Sequence, residues 1–240
     1  MPRSSRLLAA CASLFSLLLV PACKDRVFDN PYDPDPSLAA YEIVATLSTP
    51  GISPLDLTYS GEALWVADGA SRIVALSPQT GSVIRALDTP ASAGGVAYDG
   101  DELWVATRGG HEVRRMSMVT GLIIHVLTLV RGSLGPIDAS GGKLYLADRQ
   151  TNSVLVVDQA TATVERTVPS PGFSLDGLFW DGTELWILDA GLSKIFRVSL
   201  GGTVLATYAS PTRSASGMCR AKDCVWVGDS AGGAIQLRFP

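Results

Sequence analysis

Leu64-Trp65-Val66-Ala67-Asp68 is the stretch from which the architecture follows, because the chain writes it five times. Its counterparts are Leu103-Trp104-Val105-Ala106-Thr107, Leu144-Tyr145-Leu146-Ala147-Asp148, Leu185-Trp186-Ile187-Leu188-Asp189 and Val225-Trp226-Val227-Gly228-Asp229. The aromatic residues at 65, 104, 145, 186 and 226 are separated by 39, 41, 41 and 40 residues. A period near 40 with four strand signals per unit predicts a ring of four-stranded blades. The aromatic strand is apolar at consecutive positions, as a strand covered on both faces must be. Ahead of it lies a short inner strand holding Leu57, Val96, Ile137, Leu178 or Met218, always eight residues upstream. A third strand follows over residues 73–76, 113–116, 154–157, 195–198 and 234–237, and a turn then leads to an outer strand. Gly81, Gly121, Ala162 and Gly202 mark those turns, 16 or 17 residues beyond the aromatic. Glycine suits a hairpin turn that needs positive φ.

The two ends of the chain fit together. In the fifth unit the outer turn would fall near residue 242, beyond Pro240, so that unit has no outer strand of its own. Upstream of the first unit stands Glu42-Ile43-Val44-Ala45-Thr46-Leu47-Ser48-Thr49-Pro50, which reads like Val83-Ile84-Arg85-Ala86-Leu87-Asp88-Thr89-Pro90 and Val204-Leu205-Ala206-Thr207-Tyr208-Ala209-Ser210-Pro211. Pro50, Pro90, Pro171 and Pro211 precede the next aromatic by 15, 14, 15 and 15 residues. The expected fold is therefore all-β: a five-bladed β-propeller with the N-terminal strand closing the last blade. Closure removes a sheet edge that would otherwise invite aggregation. The recurrent Gly-x-Glu-Leu-Trp-Val-Ala-Asp pattern and the Thr-Gly turns resemble the NHL/YVTN-type propeller families over residues 41–240. That resemblance implies a fold and leaves the activity open, because these families include scaffolds, binding proteins, lyases and hydrolases.

Composition narrows the function classes. Hydrophobic residues make up 47% and charged residues 18%, against a usual charged share of about 25%. A disordered chain is excluded. The formal net charge is −4 and no basic run occurs, so a nucleic-acid groove has no electrostatic support.

The first segment reads as an address. Arg3 and Arg6 precede an apolar run over residues 7–20, interrupted only by Ser13 and Ser16. As a helix it falls short of a bilayer core of about 30 Å, and it has the length of a signal-peptide core. Val20-Pro21-Ala22-Cys23 resembles the bacterial lipoprotein processing site. The resemblance implies removal of residues 1–22, lipidation of Cys23, and a membrane partner reached through the lipid anchor. The alternative is an ordinary secretory signal with Cys23 left as a free thiol. Losing the leader deletes two positive charges and takes the balance to −6. Residues 23–40 then form the lipidated cysteine and a tether, in which Pro31, Pro34 and Pro36 favour an extended chain. Asp29, Asp33 and Asp35 alternate with these prolines, but a calcium loop needs converging oxygens that a stiff segment does not supply. The expected location is extracytoplasmic, in a bacterial cell envelope, and the expected state is a monomer.

Repeated and single-copy polar residues carry different meanings. The aromatics at 65, 104, 145, 186 and 226 sit in apolar strands, which points to packing between blades. Asp68, Asp148, Asp189 and Asp229 end the same strands, which points to turn capping. Single-copy residues are the candidates for a ligand site. Asp56, Asp138 and Asp176 fall at or near the starts of inner strands. Arg108, His111, Arg149 and Arg213 fall in loops expected on the same face. Such a mouth suits a small polar ligand or a cation; alternatively each Asp satisfies backbone donors beside the channel.

Enzyme signatures are sparse. His111 begins His-Glu-Val-Arg-Arg, without the second histidine of a zinc-protease helix, and no Gly-x-Ser-x-Gly elbow occurs. No cofactor and no metal is expected. Plant-type glutaminyl cyclases, some of them bacterial, have the same blade count, and their aromatic-strand motif resembles Leu-Tyr-Glu-Ser-Thr-Gly with a catalytic glutamate. Leu64-Trp65-Val66-Ala67-Asp68-Gly69 places Val66 at that glutamate's position, and valine exchanges no proton. Cys219 and Cys224 flank Arg-Ala-Lys-Asp across the hairpin of the fifth unit, a spacing that suggests a disulfide in an oxidising compartment. The leading expectation is a binding or scaffold module whose partner is an envelope protein or a small polar ligand. The alternative is a hydrolase, lyase or cyclase that uses the mouth carboxylates.

Overall fold

The computed structural model describes residues 38–89, 91–130 and 132–240. The expected leader, Cys23 and nearly all of the tether lie outside the described residues. The described chain opens with β1 (Glu42–Ser48), which belongs to the last blade. Blade one comprises β2 (Pro54–Tyr59), β3 (Leu64–Asp68), β4 (Arg72–Leu76) and β5 (Val83–Asp88). Blade two comprises β6 (Ala93–Tyr98), β7 (Leu103–Thr107), β8 (Glu112–Met116) and β9 (Ile123–Thr128). Blade three follows with β10 (Leu134–Ser140), β11 (Lys143–Asp148), β12 (Ser153–Asp158) and β13 (Val164–Pro169). Blade four is β14 (Gly177–Trp180), β15 (Leu185–Asp189), β16 (Lys194–Val198) and β17 (Val204–Ala209). Blade five holds β18 (Ala215–Ala221), β19 (Cys224–Asp229) and β20 (Gly233–Arg238), and β1 supplies its outer strand. The inner strands meet in the cyclic order β2, β6, β10, β14, β18 and back to β2. The fold is a five-bladed β-propeller. Among the described residues no helix is long and apolar enough to cross a membrane.

Closure follows from pairing as well as packing. β1 runs antiparallel to β20, with Glu42 opposite Arg238 and Ser48 opposite Gly233. Leu47 is the buried residue of β1 and joins Trp226 and Leu64 in the core between blades five and one. Leu87, Leu127, Val168 and Tyr208 hold the same place in the other outer strands. An outer strand thus buries one large side chain and exposes most of the rest.

The core is divided into five layers, one between each pair of neighbouring blades. Trp65 packs against Val96, Leu103 and Met116 of blade two. Trp104 packs against Leu134 and Ile137 of blade three, and Tyr145 against Leu178 and Ile187 of blade four. Trp186 meets Met218 and Val227 of blade five, and Trp226 meets Leu57 and Val66 of blade one. Each repeated aromatic therefore points at the next blade, and burial of 150–250 Å² per ring holds the circle together.

The repeated aspartates are staples. Asp68 Oδ1 accepts the Ser53 amide at 3.1 Å, while its Oδ2 pairs with Arg72 at 2.6 Å. Asp148 accepts the amides of Ser133 and Gln150, each at 3.0 Å. Asp189 accepts the amides of Ser174 at 3.1 Å and Leu192 at 2.8 Å. Asp229 accepts the Ala231 amide at 2.9 Å and the Ser214 hydroxyl. Each carboxylate thus ties the end of its aromatic strand to the segment that enters the same blade. Ser53, Ser133, Ser174 and Ser214 all lie twelve residues before their aromatic, as does Ser92 in blade two. That serine register is a sequence signal the reading by aromatics overlooks. The turn residues behave as expected: Gly81, Gly121 and Gly202 have φ of +72°, +74° and +85°, and Ala162 is held at +57°.

Candidate functional site

Four inner strands carry a β-bulge near their start, with register shifts between Pro54 and Asp56, Ala93 and Gly95, Leu134 and Ile137, and Ser216 and Met218. In blade four the inner strand starts late, at Gly177, and residues 173–176 stay outside the ladder. A bulge re-aims a side chain out of the sheet. The residues ten positions before each aromatic are Leu55, Gly94, Gly135, Asp176 and Ser216. All of these except Gly135 line a cavity of about 490 Å³. Arg108, Arg149 and Ser230, from the loops that leave the aromatic strands, add to the wall, as do Phe173, Leu175 and Ala215.

Arg149 is seated. Its Nε donates to the Leu175 carbonyl at 3.2 Å, and its Nη2 stands 3.9 Å from Asp176 Oδ1. The guanidinium passes directly over Gly135, where a Cβ would come within 2.9 Å of Nε. Asp176 is fixed from its other oxygen, which accepts from the Ser174 hydroxyl and from the Ala190 amide at 2.9 Å. Arg108 differs. Its backbone packs against Gly94, where a Cβ would stand 2.7 Å from the Arg108 Cα. Its side chain is exposed, and no described residue hydrogen-bonds or ion-pairs with the guanidinium. Phe173 stands on the rim, 83% exposed.

Asp56 and Asp138 lie along the axis beyond this cavity and do not line it. Asp56 is fully buried, and one oxygen accepts the amides of Val96 at 3.1 Å and Ile137 at 3.0 Å, tying blade one to blades two and three. Its other oxygen is buried with no partner among the described residues. The equivalent positions in the other blades are Gly95, Pro136, Gly177 and Gly217. A Cβ on Gly217 would meet Asp56 Oδ1 at 2.7 Å, so this layer has room for one carboxylate. Burial pushes the Asp56 carboxyl well above the usual range, more than its amide donors lower it, and the nearby Asp138 adds to the rise. Asp138 accepts the Trp180 amide of blade four at 2.8 Å, and burial raises its carboxyl to about 6. Both acids serve as ties between blades.

Three of the seven candidate positions, Arg108, Arg149 and Asp176, meet in one cavity. His111 and Arg213 are exposed and lie outside its lining. The mouth residues missed in the sequence include Leu55, Phe173 and Ser216, whose placement depends on the bulges and on the late start of β14. Among the described residues no group of three or more His, Cys, Asp or Glu side chains is placed to hold a metal ion. Val66, at the cyclase glutamate position, is buried in the apolar layer between blades five and one.

The disulfide expected between Cys219 and Cys224 is not formed; both are free thiols. The register explains why: Cys219 faces Trp226 and Cys224 faces Ala221. The two residues share a face as diagonal neighbours, a placement with Cα atoms about 7–8 Å apart, whereas bridged cysteines usually keep Cα atoms within about 7 Å.

These features define a five-bladed propeller with a polar mouth, and solved structures share its fold. The glutaminyl cyclase of Myxococcus xanthus superposes with a TM-score of 0.73 at 13% identity, covering 85% of this chain and 98% of the cyclase. Virginiamycin B lyase of Staphylococcus aureus gives a TM-score of 0.50 at 15% identity, covering 80% of this chain and 68% of the lyase. The WD40 propeller domain of Doa1 gives 0.54 at 12% identity, covering 75% of this chain and 62% of that domain. At these identities the likeness extends to the fold alone. No family model and no curated protein matches the sequence.

Proposed function

We propose that this chain is a lipid-anchored, extracytoplasmic propeller of the NHL/YVTN type that binds a small polar ligand in its mouth. The observation that carries the reading is the convergence of three charged residues on one cavity of about 490 Å³: Arg108 and Arg149, which share one register position in blades two and three, and Asp176 of blade four. That volume lies within the usual range of about 300–1,000 Å³ for small-molecule sites. The repeat calls for none of these charges, although Arg149 also links blade three to the segment that enters blade four. The catalytic alternative is weaker, because Asp56 and Asp138 are committed to inter-blade hydrogen bonds and Asp176 is the one carboxylate in the lining. Cys23 supplies the anchor, and the Pro-rich tether holds the ring away from the bilayer.

The test is a thermal-shift screen of the full chain, purified in detergent, against sugars, amino acids, carboxylates, peptides and metal ions. A ligand present at about 100 times its Kd stabilises the native state by about 2.7 kcal/mol. A hit that Arg149→Ala abolishes supports the reading, and a hit indifferent to every mouth substitution contradicts it. Mass spectrometry of the membrane-extracted protein tests the anchor: an acylated N-terminal Cys23 is expected, and an unmodified Cys23 would remove the anchor from the account.

A further inference from the structure

The mouth carries an uneven balance of charge. Among the residues lining the cavity, Arg108 and Arg149 are positive and Asp176 is negative, so the lining has a formal charge of +1. Asp176 lies 3.9 Å from Arg149 and partly neutralises it, whereas Arg108 has no described ionic partner. A dianion such as phosphate would leave uncompensated charge beside Asp176, and a cation would meet the two guanidiniums. A monovalent anion matches the balance. Shape narrows the class further. Arg149 is preorganised by the Leu175 carbonyl and by the missing Cβ of Gly135, so its planar donors face a fixed direction. A guanidinium of this kind suits the two coplanar oxygens of a carboxylate. Leu55, Ala215 and the exposed Phe173 ring give the same cavity an apolar side.

We infer that the ligand of the mouth is a small monocarboxylate with an apolar body, its carboxylate held by Arg149 and closed over by Arg108, and its body lying against Leu55 and Phe173. This rests on the mouth being a binding site and names the class of ligand it takes. Gly135 enters as a positioning residue: an added methyl group displaces the Arg149 guanidinium, the end of a flexible side chain, and leaves the backbone in place.

The experiment measures binding to the full chain in detergent at low salt, using benzoate as the probe and benzylamine and inorganic phosphate as counter-probes. Each is present at about 10 mM, enough to saturate a millimolar site. Benzoate is expected to raise the melting temperature, with phosphate and benzylamine giving smaller shifts. Arg149→Ala and Arg108→Ala are each expected to weaken benzoate about 10-fold or more, in line with the loss of a charge-assisted hydrogen bond. Gly135→Ala is expected to weaken it with the apo melting temperature unchanged. Added salt should reduce the affinity through screening. The inference is overturned if phosphate or benzylamine binds more tightly than benzoate, if benzoate gives no shift, or if its binding survives Arg149→Ala. An uncharged ligand that requires Arg149 would end the carboxylate inference and leave the binding mouth standing. Loss of both would follow if no ligand from the wider screen responds to any mouth substitution.

Discussion

Asp148, at the end of an aromatic strand, and the carboxylates on the axis stand in opposite situations. Asp148 is buried, which alone would raise its carboxyl, but donors from Ser133, Thr151 and Gln150 outweigh burial and hold it below the usual range. Asp56 and Asp138 also accept amides, yet burial wins and both are raised. The position of Asp148 carries a carboxylate in four blades and fastens each of them to its own entry loop. The axial kind occurs once per position and fastens different blades to one another. Repetition across four or five blades thus marks the frame, and charges found in one or two blades mark the axis and the mouth, where the five blades are no longer equivalent.

The largest effect expected on the frame comes from deleting residues 41–50. This removes β1, leaves β20 as an open edge and strips Leu47 from the core between blades five and one. Denaturant unfolding should show a loss above about 4 kcal/mol, beyond the usual range for single substitutions; an unchanged midpoint would break the closure. Asp68→Ala is next. It orphans the Ser53 amide and takes from the Arg72 guanidinium its carboxylate partner, leaving it the Gly51 carbonyl, and a loss of about 2 kcal/mol is expected.

The pH profile of stability sharpens the comparison, because Asp148 and the axial pair give opposite signs. A lowered carboxyl such as Asp148 contributes stability above its unfolded value near 4, and this is lost as pH falls through the folded value. The raised carboxyls Asp56 and Asp138 contribute stability below about 4, and this is lost as pH rises, through about 6 for Asp138. The melting temperature should therefore peak on the acid side of neutrality. Asp56→Asn, which mimics the protonated acid, should flatten the alkaline limb; a limb equally steep in the variant would remove Asp56 from the account. The smallest effect concerns one turn. Ala162 occupies at φ +57° the place that glycine takes in the three other turns, and Ala162→Gly should stabilise the chain by roughly 0.5 kcal/mol.

The fold is legible because the frame is written five times, and a register held by Trp65, Trp104, Tyr145, Trp186 and Trp226 fixes every strand around it. The mouth is only partly legible. Arg108, Arg149 and Asp176 stand out as charges in the loops of one face, but Asp176 reaches the cavity because the inner strand of blade four starts late, at Gly177, an offset that the repeat does not display. Asp56 and Asp138 look equally available in the sequence, yet they differ from Asp176 by lying one and three places further along the inner strand relative to the aromatic. Those small offsets move a side chain from the mouth to the axis. The missing disulfide has the same origin, since a two-position offset in a hairpin separates Cys219 from Cys224.

Asp148 and Arg149 are neighbours in sequence, one in the frame and one in the mouth, and the most direct measurement compares their alanine variants for both stability and benzoate affinity. Asp148→Ala should lose about 2 kcal/mol of stability with the affinity of the folded protein unchanged. Arg149→Ala should lose the affinity at a smaller cost in stability, about 1 kcal/mol or less, from the lost Leu175 and Asp176 contacts. If the two variants lose both properties together, or exchange them, the separation of frame from binding mouth is wrong.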